Sequence, residues 1–124
     1  MTNELKRPNV IRVNEDKLED KGHGIYTGAE YWQNNKPFTG FAVASYYENG
    51  NIALEVEHAN GQTMGWHVEY YENGKIKYER LNYGDSTVVF RYFDEDGNKT
   101  REYWPDKKSY NEVAKETGME PLNE

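Results

Sequence analysis

The densest group of side chains capable of chemistry in this sequence surrounds His67. Strand alternation places His67 and Glu69 on one face, and Glu55 and Glu57 would occupy the same face of the preceding strand. Imidazole and carboxylate groups bind divalent metal ions and exchange protons, so this spacing could form a metal site or an acid–base pair. In the register predicted below, however, His67 lies opposite Ala53. We therefore interpret the group as a solvated polar face and expect no metal and no cofactor.

Other candidate catalytic or ligand-binding groups are weaker. The chain contains no cysteine, which excludes thiol nucleophiles, disulfides and Cys-ligated metal sites. None of Ser45, Ser86 and Ser109 occupies a nucleophile elbow. The acidic 94–97 segment resembles part of a calcium loop but lacks the bidentate glutamate and the flanking helices of such a site. The sequence therefore predicts a protein that is not an enzyme.

An internal repeat predicts the elements that position these side chains. Residues 46–52 match residues 70–76 at a shift of 24, and a looser copy lies at 92–98. Further turn signals lie between the copies at 60–61 and 83–84. A period near 24 that holds two turn signals and two apolar stretches is typical of a repeated β-hairpin.

Turn chemistry predicts the register of this hairpin. Gly74 is placed to supply the left-handed residue of a three-residue loop, so that Tyr70 pairs with Ile76. The resulting apolar face contains Ala42, Ala44, Tyr46, Ile52, Leu54, Val56, Trp66, Val68, Tyr70, Ile76 and Tyr78, and the third unit adds Val88, Phe90 and Tyr92. The opposite, polar face contains Val43, Tyr47, Ala53, Glu55, Glu57, His67, Glu69, Tyr71, Lys77 and Glu79. The longer third turn leaves the facing of 98–104 open.

The predicted fold is all-β, a single antiparallel meander sheet of repeated β-hairpins with a short C-terminal α-helix. We expect about six to eight strands in one domain that spans 1–124. Within it, 9–40 forms degenerate N-terminal strands, 41–104 forms the hairpin repeats and 106–118 contains the helix.

The C-terminal helix has recognisable ends. Ser109 and Glu112 have the spacing of a capping box, and Gly118 can end the helix. A helix this short is marginal alone, so we expect it to dock on the sheet.

The charge balance narrows the class of partner. Lys and Arg total 15 against 22 Asp and Glu, a formal net charge of -7. Such a surface repels nucleic acid and favours a basic protein partner. No apolar run approaches the length of a membrane span or a signal-peptide core, so the expectation is a cytoplasmic protein that does not bind membranes.

The repeats also carry a family resemblance. The 70–76 unit, preceded by Gly65 and Trp66 and recurring after the 36–40 segment, resembles the bacterial MORN-repeat-variant proteins, the YwqK-like antitoxins. This resemblance implies an immunity protein that neutralises a cognate toxin by binding it inside the producing cell. It supplies no catalytic residues. The alternative is a repeat scaffold or protein-interaction module without a toxin partner.

Candidate partner-binding residues follow from the predicted polar face. An aromatic ring flanked by glutamates either covers a cross-strand neighbour or anchors a partner. The candidates are Tyr47, Glu55, Glu57, Glu69, Tyr71 and Glu79. If the C-terminal helix covers that face, the interface moves to Asp94, Glu95 and Asp96 or to a sheet edge.

Overall fold

The protein is described by a computed structural model that covers residues 11–24 and 28–122. These residues form one large β-sheet and one short helix, which confirms the predicted all-β fold with a C-terminal helix. The elements are β1 (Arg12–Asn14), β2 (Glu19–Gly24), β3 (Gly28–Gln33), β4 (Lys36–Pro37), β5 (Gly40–Tyr46), β6 (Ile52–Ala59), β7 (Gln62–Tyr70), β8 (Ile76–Tyr83), β9 (Ser86–Phe93), β10 (Lys99–Tyr103) and α1 (Tyr110–Thr117). Short 3-10 turns at Glu15–Lys17 and Lys107–Ser109 complete the list.

The meander runs from β5 to β10, each strand antiparallel to the next. The N-terminal strands differ from the prediction, because β1 pairs with β5 in parallel and makes the sheet mixed. Strands β2, β3 and β4 form a small antiparallel group that joins the sheet where Glu30 of β3 pairs with Gln62 of β7. Such long-range pairings leave no local signal in the sequence. Residues 9 and 10 of the expected N-terminal strand lie outside the described residues.

The hairpin turns match their prediction. The backbone N–H of Tyr71 donates to the Lys75 carbonyl at 2.8 Å, and that of Gly74 donates to the Tyr71 carbonyl at 2.9 Å. Gly74 has a φ of 89°, the left-handed conformation that the loop requires. Tyr70 pairs with Ile76, as expected.

A β-bulge beside this turn overturns the predicted facing of the next residues. Tyr70 pairs with Ile76, but its neighbour Glu69 pairs with Tyr78, so one residue of β8 has no partner on β7. An extra residue moves every following side chain to the opposite face. Val68 therefore lies opposite Glu79 rather than Tyr78.

The same correction applies to β6. Val68 lies opposite Glu55, and His67 lies opposite Val56 rather than Ala53. The prediction that the polar face is solvent-exposed is wrong for three of its carboxylates, since Glu55, Glu57 and Glu79 are buried. Conversely, the predicted apolar face is split between the two sides of the sheet. Five of its residues lie on the side opposite to Trp66 and Val68, where their cross-strand neighbours from β7 to β10 are charged or aromatic. These residues are Leu54, Val56, Tyr78, Phe90 and Tyr92.

We call the side of the sheet that α1 covers the inner face. It carries Trp66, Val68, Leu81, Val88 and Val89, all fully buried, with Tyr70 and Ile76 packed at its margin. The helix contributes Tyr110, Val113 and Ala114 to this core. Tyr46, which was expected in the core, is instead 49% exposed.

The prediction for the ends of α1 is confirmed at the C-terminal end and wrong at the N-terminal end. Gly118 is left-handed, with a φ of 78°, and closes the helix. The expected capping box does not form, because Ser109 has helical backbone angles and its hydroxyl donates to Asp106 at 2.6 Å. Beyond the helix, the indole N–H of Trp66 contacts the Met119 sulfur at 3.3 Å and ties the C-terminal segment to the core.

Candidate functional site

The opposite side of the sheet, which we call the outer face, carries two rows of side chains that run across five strands. Residues that pair across an antiparallel ladder present their side chains on the same face, so each row can be read from the register. The first row is Leu54, Glu69, Tyr78, Tyr92 and Arg101. The second row is Val56, His67, Arg80, Phe90 and Tyr103.

Aromatic rings dominate the β8–β10 end of the outer face. Tyr78 and Tyr92 have ring centroids 4.8 Å apart, and Phe90 lies 5.8 Å from Tyr92 and 5.3 Å from Tyr103. The Arg101 guanidinium lies about 6 Å from the rings of both Phe90 and Tyr92. Tyr92 and Tyr103 are nevertheless 39% and 54% exposed. Tyrosine and arginine are the residues most enriched at the energetic centres of protein interfaces.

His67 occupies the middle of the second row. Its Nε2 lies 3.5 Å from a Glu69 carboxylate oxygen, and its Nδ1 lies 3.5 Å from Nη2 of Arg80. Burial and the Arg80 charge lower the pKa of His67, although Glu69 opposes both effects. His67 is therefore a neutral imidazole at neutral pH. Within 11–24 and 28–122, no three His, Cys, Asp or Glu residues are grouped so that they could hold a metal ion.

The predicted partner-binding residues Glu55 and Glu79 serve the fold instead. Glu55 accepts hydrogen bonds from Nε of Arg12 at 2.7 Å and from the Tyr70 hydroxyl at 2.5 Å. Glu79 forms an ion pair with Arg91, whose Nε donates at 3.0 Å. Both carboxylates are buried in the inner face. The sheet tolerates their charge because each carboxylate forms an ion pair with an arginine.

Glu57 is also part of the core. Its Oε1 accepts the backbone N–H of Trp66 at 3.0 Å, and its side chain occupies the space that Gly65 leaves by having no Cβ. Direct contact between a partner and Glu57 would require the sheet to open. Of the four glutamates on the predicted polar face, Glu69 lies on the outer face, where its side chain is 44% exposed.

The two candidate tyrosines join neighbouring hairpins. The Tyr47 hydroxyl donates to the Tyr70 carbonyl at 2.7 Å, and the Tyr71 hydroxyl donates to the Phe93 carbonyl at 2.8 Å. Their rings are half-buried. A structural role therefore accounts for their place in the repeat, and their contact with a partner stays a prediction.

The acidic third turn lies at the tip of the β9–β10 hairpin. Asp94 accepts backbone N–H groups from Asp96 and Asn98, and the Asn98 bond contributes most to lowering its pKa. Glu95 and Asp96 are exposed. The Asp94 carboxylate thus shapes the turn, whereas its two neighbours are accessible to solvent.

Sequence reasoning missed Arg80, Arg101 and Tyr103 as residues that lie together on the outer face. The alternation of polar and apolar side chains along each strand is visible in the sequence. The bulges, however, determine which side chains of neighbouring strands lie on the same face. The signal that was available is the density of aromatic residues in β8 to β10. Because these aromatic residues were interpreted as core residues, the surface that they form was not predicted.

Comparisons of the chain with protein-family models, with curated proteins and with solved structures give no match. In the part of the chain that the structure describes, no helix has the length and apolar character needed to cross a membrane.

Proposed function

We propose that this protein is an immunity protein that neutralises a cognate bacterial toxin by binding it directly. The observation that carries the proposal is the outer face, where exposed Tyr92 and Tyr103 accompany Arg101 on a rigid sheet. The resemblance of the 46–52 and 70–76 repeats to YwqK-like antitoxins supports a toxin as the partner. Inhibition occurs by occupancy alone, without turnover of any substrate.

The outer face suits stoichiometric binding because its anchors are already held in place. Strand residues lose little conformational freedom on binding, so more of the contact energy is retained as affinity. Packing of Tyr92 against Tyr78 and Phe90 restricts the ring further. The net charge of -7 adds long-range attraction for a toxin of basic character, which raises the association rate.

The proposal is tested with the toxin encoded beside this gene. Wild-type protein should form a complex with it and protect cells that express it. The Y92A/Y103A double variant should bind at least about 30-fold more weakly, since each exposed aromatic anchor contributes on the order of 1 to 2 kcal/mol or more. Tyr46→Ala is the matched control, because Tyr46 is equally exposed but lies outside the outer face.

The possible outcomes separate this function from its alternative. Failure of the wild type both to bind and to protect would remove the immunity assignment. Binding of another protein without protection would favour the alternative, a repeat scaffold or interaction module. Equal loss of affinity in Y46A and Y92A/Y103A would show that the outer face is not the interface.

A further inference from the structure

The arginines of the outer face differ from the other arginines that the structure describes. Arg12 and Arg91 each pair with a buried glutamate of the inner face. By contrast, Arg80 and Arg101 have no carboxylate within 4 Å among residues 11–24 and 28–122. In a chain with 22 acidic and 15 basic residues, two arginines on one surface with no carboxylate within 4 Å among the described residues need an explanation.

Arg80 is the more constrained of the two. Its Nε is buried without a hydrogen-bond partner in the described part of the chain. One Nη lies 3.5 Å from His67, a neutral imidazole that cannot balance the charge. A buried donor without an acceptor costs free energy, so the Arg80 guanidinium is incompletely satisfied within the fold.

Arg101 lies in the adjacent row and is exposed. The rings of Phe90 and Tyr92 flank its guanidinium, which limits the orientations that this side chain can take. Aromatic rings on the rim of a contact also exclude water from ion pairs that form beside them. An oriented guanidinium in such surroundings is suited to a planar carboxylate.

The neighbouring carboxylates offset this local positive charge only in part. Glu69 contacts His67, and Glu102 pairs with Lys99 at 3.0 Å and lies 3.8 Å from Arg91. The outer face therefore combines two arginines without acidic partners and four aromatic rings, within a protein that is acidic overall.

We propose that the outer face binds an acidic peptide segment of the partner, whose carboxylates pair with Arg80 and Arg101 while its apolar side chains pack on the rings. This inference rests on the proposed function and specifies the chemistry of its contact. A toxin of basic net charge is compatible with it, because net charge governs the encounter and local pairing governs the bound complex. A single nucleic-acid strand would also suit aromatic rings and arginines, but the net charge of -7 opposes it.

The test uses the full chain, labelled with ¹⁵N, and synthetic probes. The first probe is a 12-residue peptide that alternates Glu with Tyr and Leu, and the second has Gln in place of each Glu. A 12-nucleotide single strand of thymidines is the third. We expect the Glu peptide to bind at least tenfold more tightly than the Gln peptide, with amide shift changes centred on β8, β9 and β10.

Variants connect this binding to the two arginines. R80Q/R101Q should weaken binding of the Glu peptide at least tenfold, whereas K108Q/K115Q, with the same change in net charge at two exposed lysines, should not. If the double arginine variant does not fold, R101Q alone and the shift map of the wild type still test the site. Equal affinity for the Glu and Gln peptides, or preferred binding of the thymidine strand, would overturn the inference.

The toxin separates this inference from the proposed function. If the toxin binds wild type and R80Q/R101Q equally, the acidic-segment contact is wrong and the immunity function stands. If the Glu peptide binds at the outer face but the toxin does not bind at all, the immunity function is wrong and the surface chemistry stands.

Discussion

His58 is a polar side chain of β6 that lies in the interior of the protein. It is 1% exposed, and its ring lies 5.0 Å from that of Tyr31 and 6.3 Å from that of Phe38. Neither ring nitrogen has a hydrogen-bond partner among the described residues. Burial disfavours the imidazolium and lowers the pKa of His58 to about 4, although the nearby Gly61 backbone acts in the opposite direction.

This pKa predicts acid sensitivity with a definite sign. The unfolded state binds a proton near pH 6.5 and the folded state only near pH 4, so stability should fall as the pH decreases between these values. The loss attributable to His58 should reach about 3 kcal/mol. Denaturant unfolding of wild type and His58→Phe from pH 7.5 to 4 measures it as the difference between the two curves.

The Glu79–Arg91 pair illustrates a second residue-scale effect. Both side chains are buried, and Arg91 also lies over the Trp66 ring at 5.7 Å. Arg91→Met would remove the ion-pair partner of Glu79 from the core, and we expect it to cost about 3 to 5 kcal/mol. The E79M/R91M double variant should recover most of that loss, because neither charge of the pair remains. A double variant as unstable as R91M would show that packing, rather than charge, determines the effect.

At the scale of elements, the repeat residues connect one hairpin to the next. The Asn49 amide donates to the Glu72 carbonyl at 2.9 Å, and the Asn73 amide donates to the Glu95 carbonyl at 3.2 Å. Tyr47 and Tyr71 make the corresponding bonds one step further into the sheet. The 24-residue period is therefore a period of contacts between neighbouring units, which only a stacked array can satisfy.

Removing one of these contacts tests the role of the repeat. Tyr71→Phe deletes the hydroxyl that donates to the Phe93 carbonyl, and we expect it to lower the free energy of unfolding by about 1 kcal/mol. Tyr46→Phe, at the exposed tyrosine of the preceding unit, should leave stability unchanged within error. Thermal or denaturant unfolding of both variants provides the comparison, and equal effects would contradict the interlocking role of Tyr71.

Alanine substitutions at two glycines can distinguish the stability cost of backbone strain from that of steric overlap. Gly65 and Gly74 both have positive φ, at 109° and 89°. A Cβ at Gly74 would have room, so Gly74→Ala should cost about 1 to 2 kcal/mol through the backbone alone. A Cβ at Gly65 would overlap the Glu57 carboxylate, so Gly65→Ala should cost at least about 2 kcal/mol more. Similar losses in both variants would argue against a buried Glu57.

For the whole molecule, the distribution of charge matters more than its sum. The buried carboxylates of Glu55 and Glu79 are balanced by arginines within the inner face. Exposed acidic residues remain at the three hairpin tips, where Glu48, Glu72 and Glu95 are exposed to solvent. The outer face, in contrast, carries Arg80 and Arg101. In the proposed complex, long-range attraction of a basic toxin therefore arises from the hairpin tips, and short-range contact arises from the outer face.

This separation predicts different kinetic effects for the two regions. Neutralising the tips in E48Q/E72Q/E95Q should slow association with a basic toxin several-fold at low salt and leave the dissociation rate unchanged. Stopped-flow association measured at low and at high salt checks this, because the difference should vanish when the charges are screened. An altered dissociation rate in this triple variant would place the contact at the tips instead of the outer face.

Local signals in the sequence predicted much of the architecture. Gly74 and its counterparts define the turns, Tyr70 pairs with Ile76 as expected, and Gly118 ends the helix. These features depend on residues a few positions apart, so backbone conformational preferences decide them. The side-chain facing was predicted less well, since of the predicted polar-face glutamates Glu69 lies on the outer face while Glu55 and Glu79 are buried.

The hairpin period, the turn positions and the strand-rich fold follow from short-range chemistry that is repeated along the chain, so they can be inferred from the sequence. Which side chains share a face depends on the tertiary structure. A bulge beside Tyr70 reverses the side-chain orientation of the residues that follow, which brings Glu79 inward to Arg91 and Tyr78 outward to Tyr92. Such a reversal depends on the pairing of neighbouring strands and on ion pairs between residues distant in sequence, as in the contact of Arg12 with Glu55.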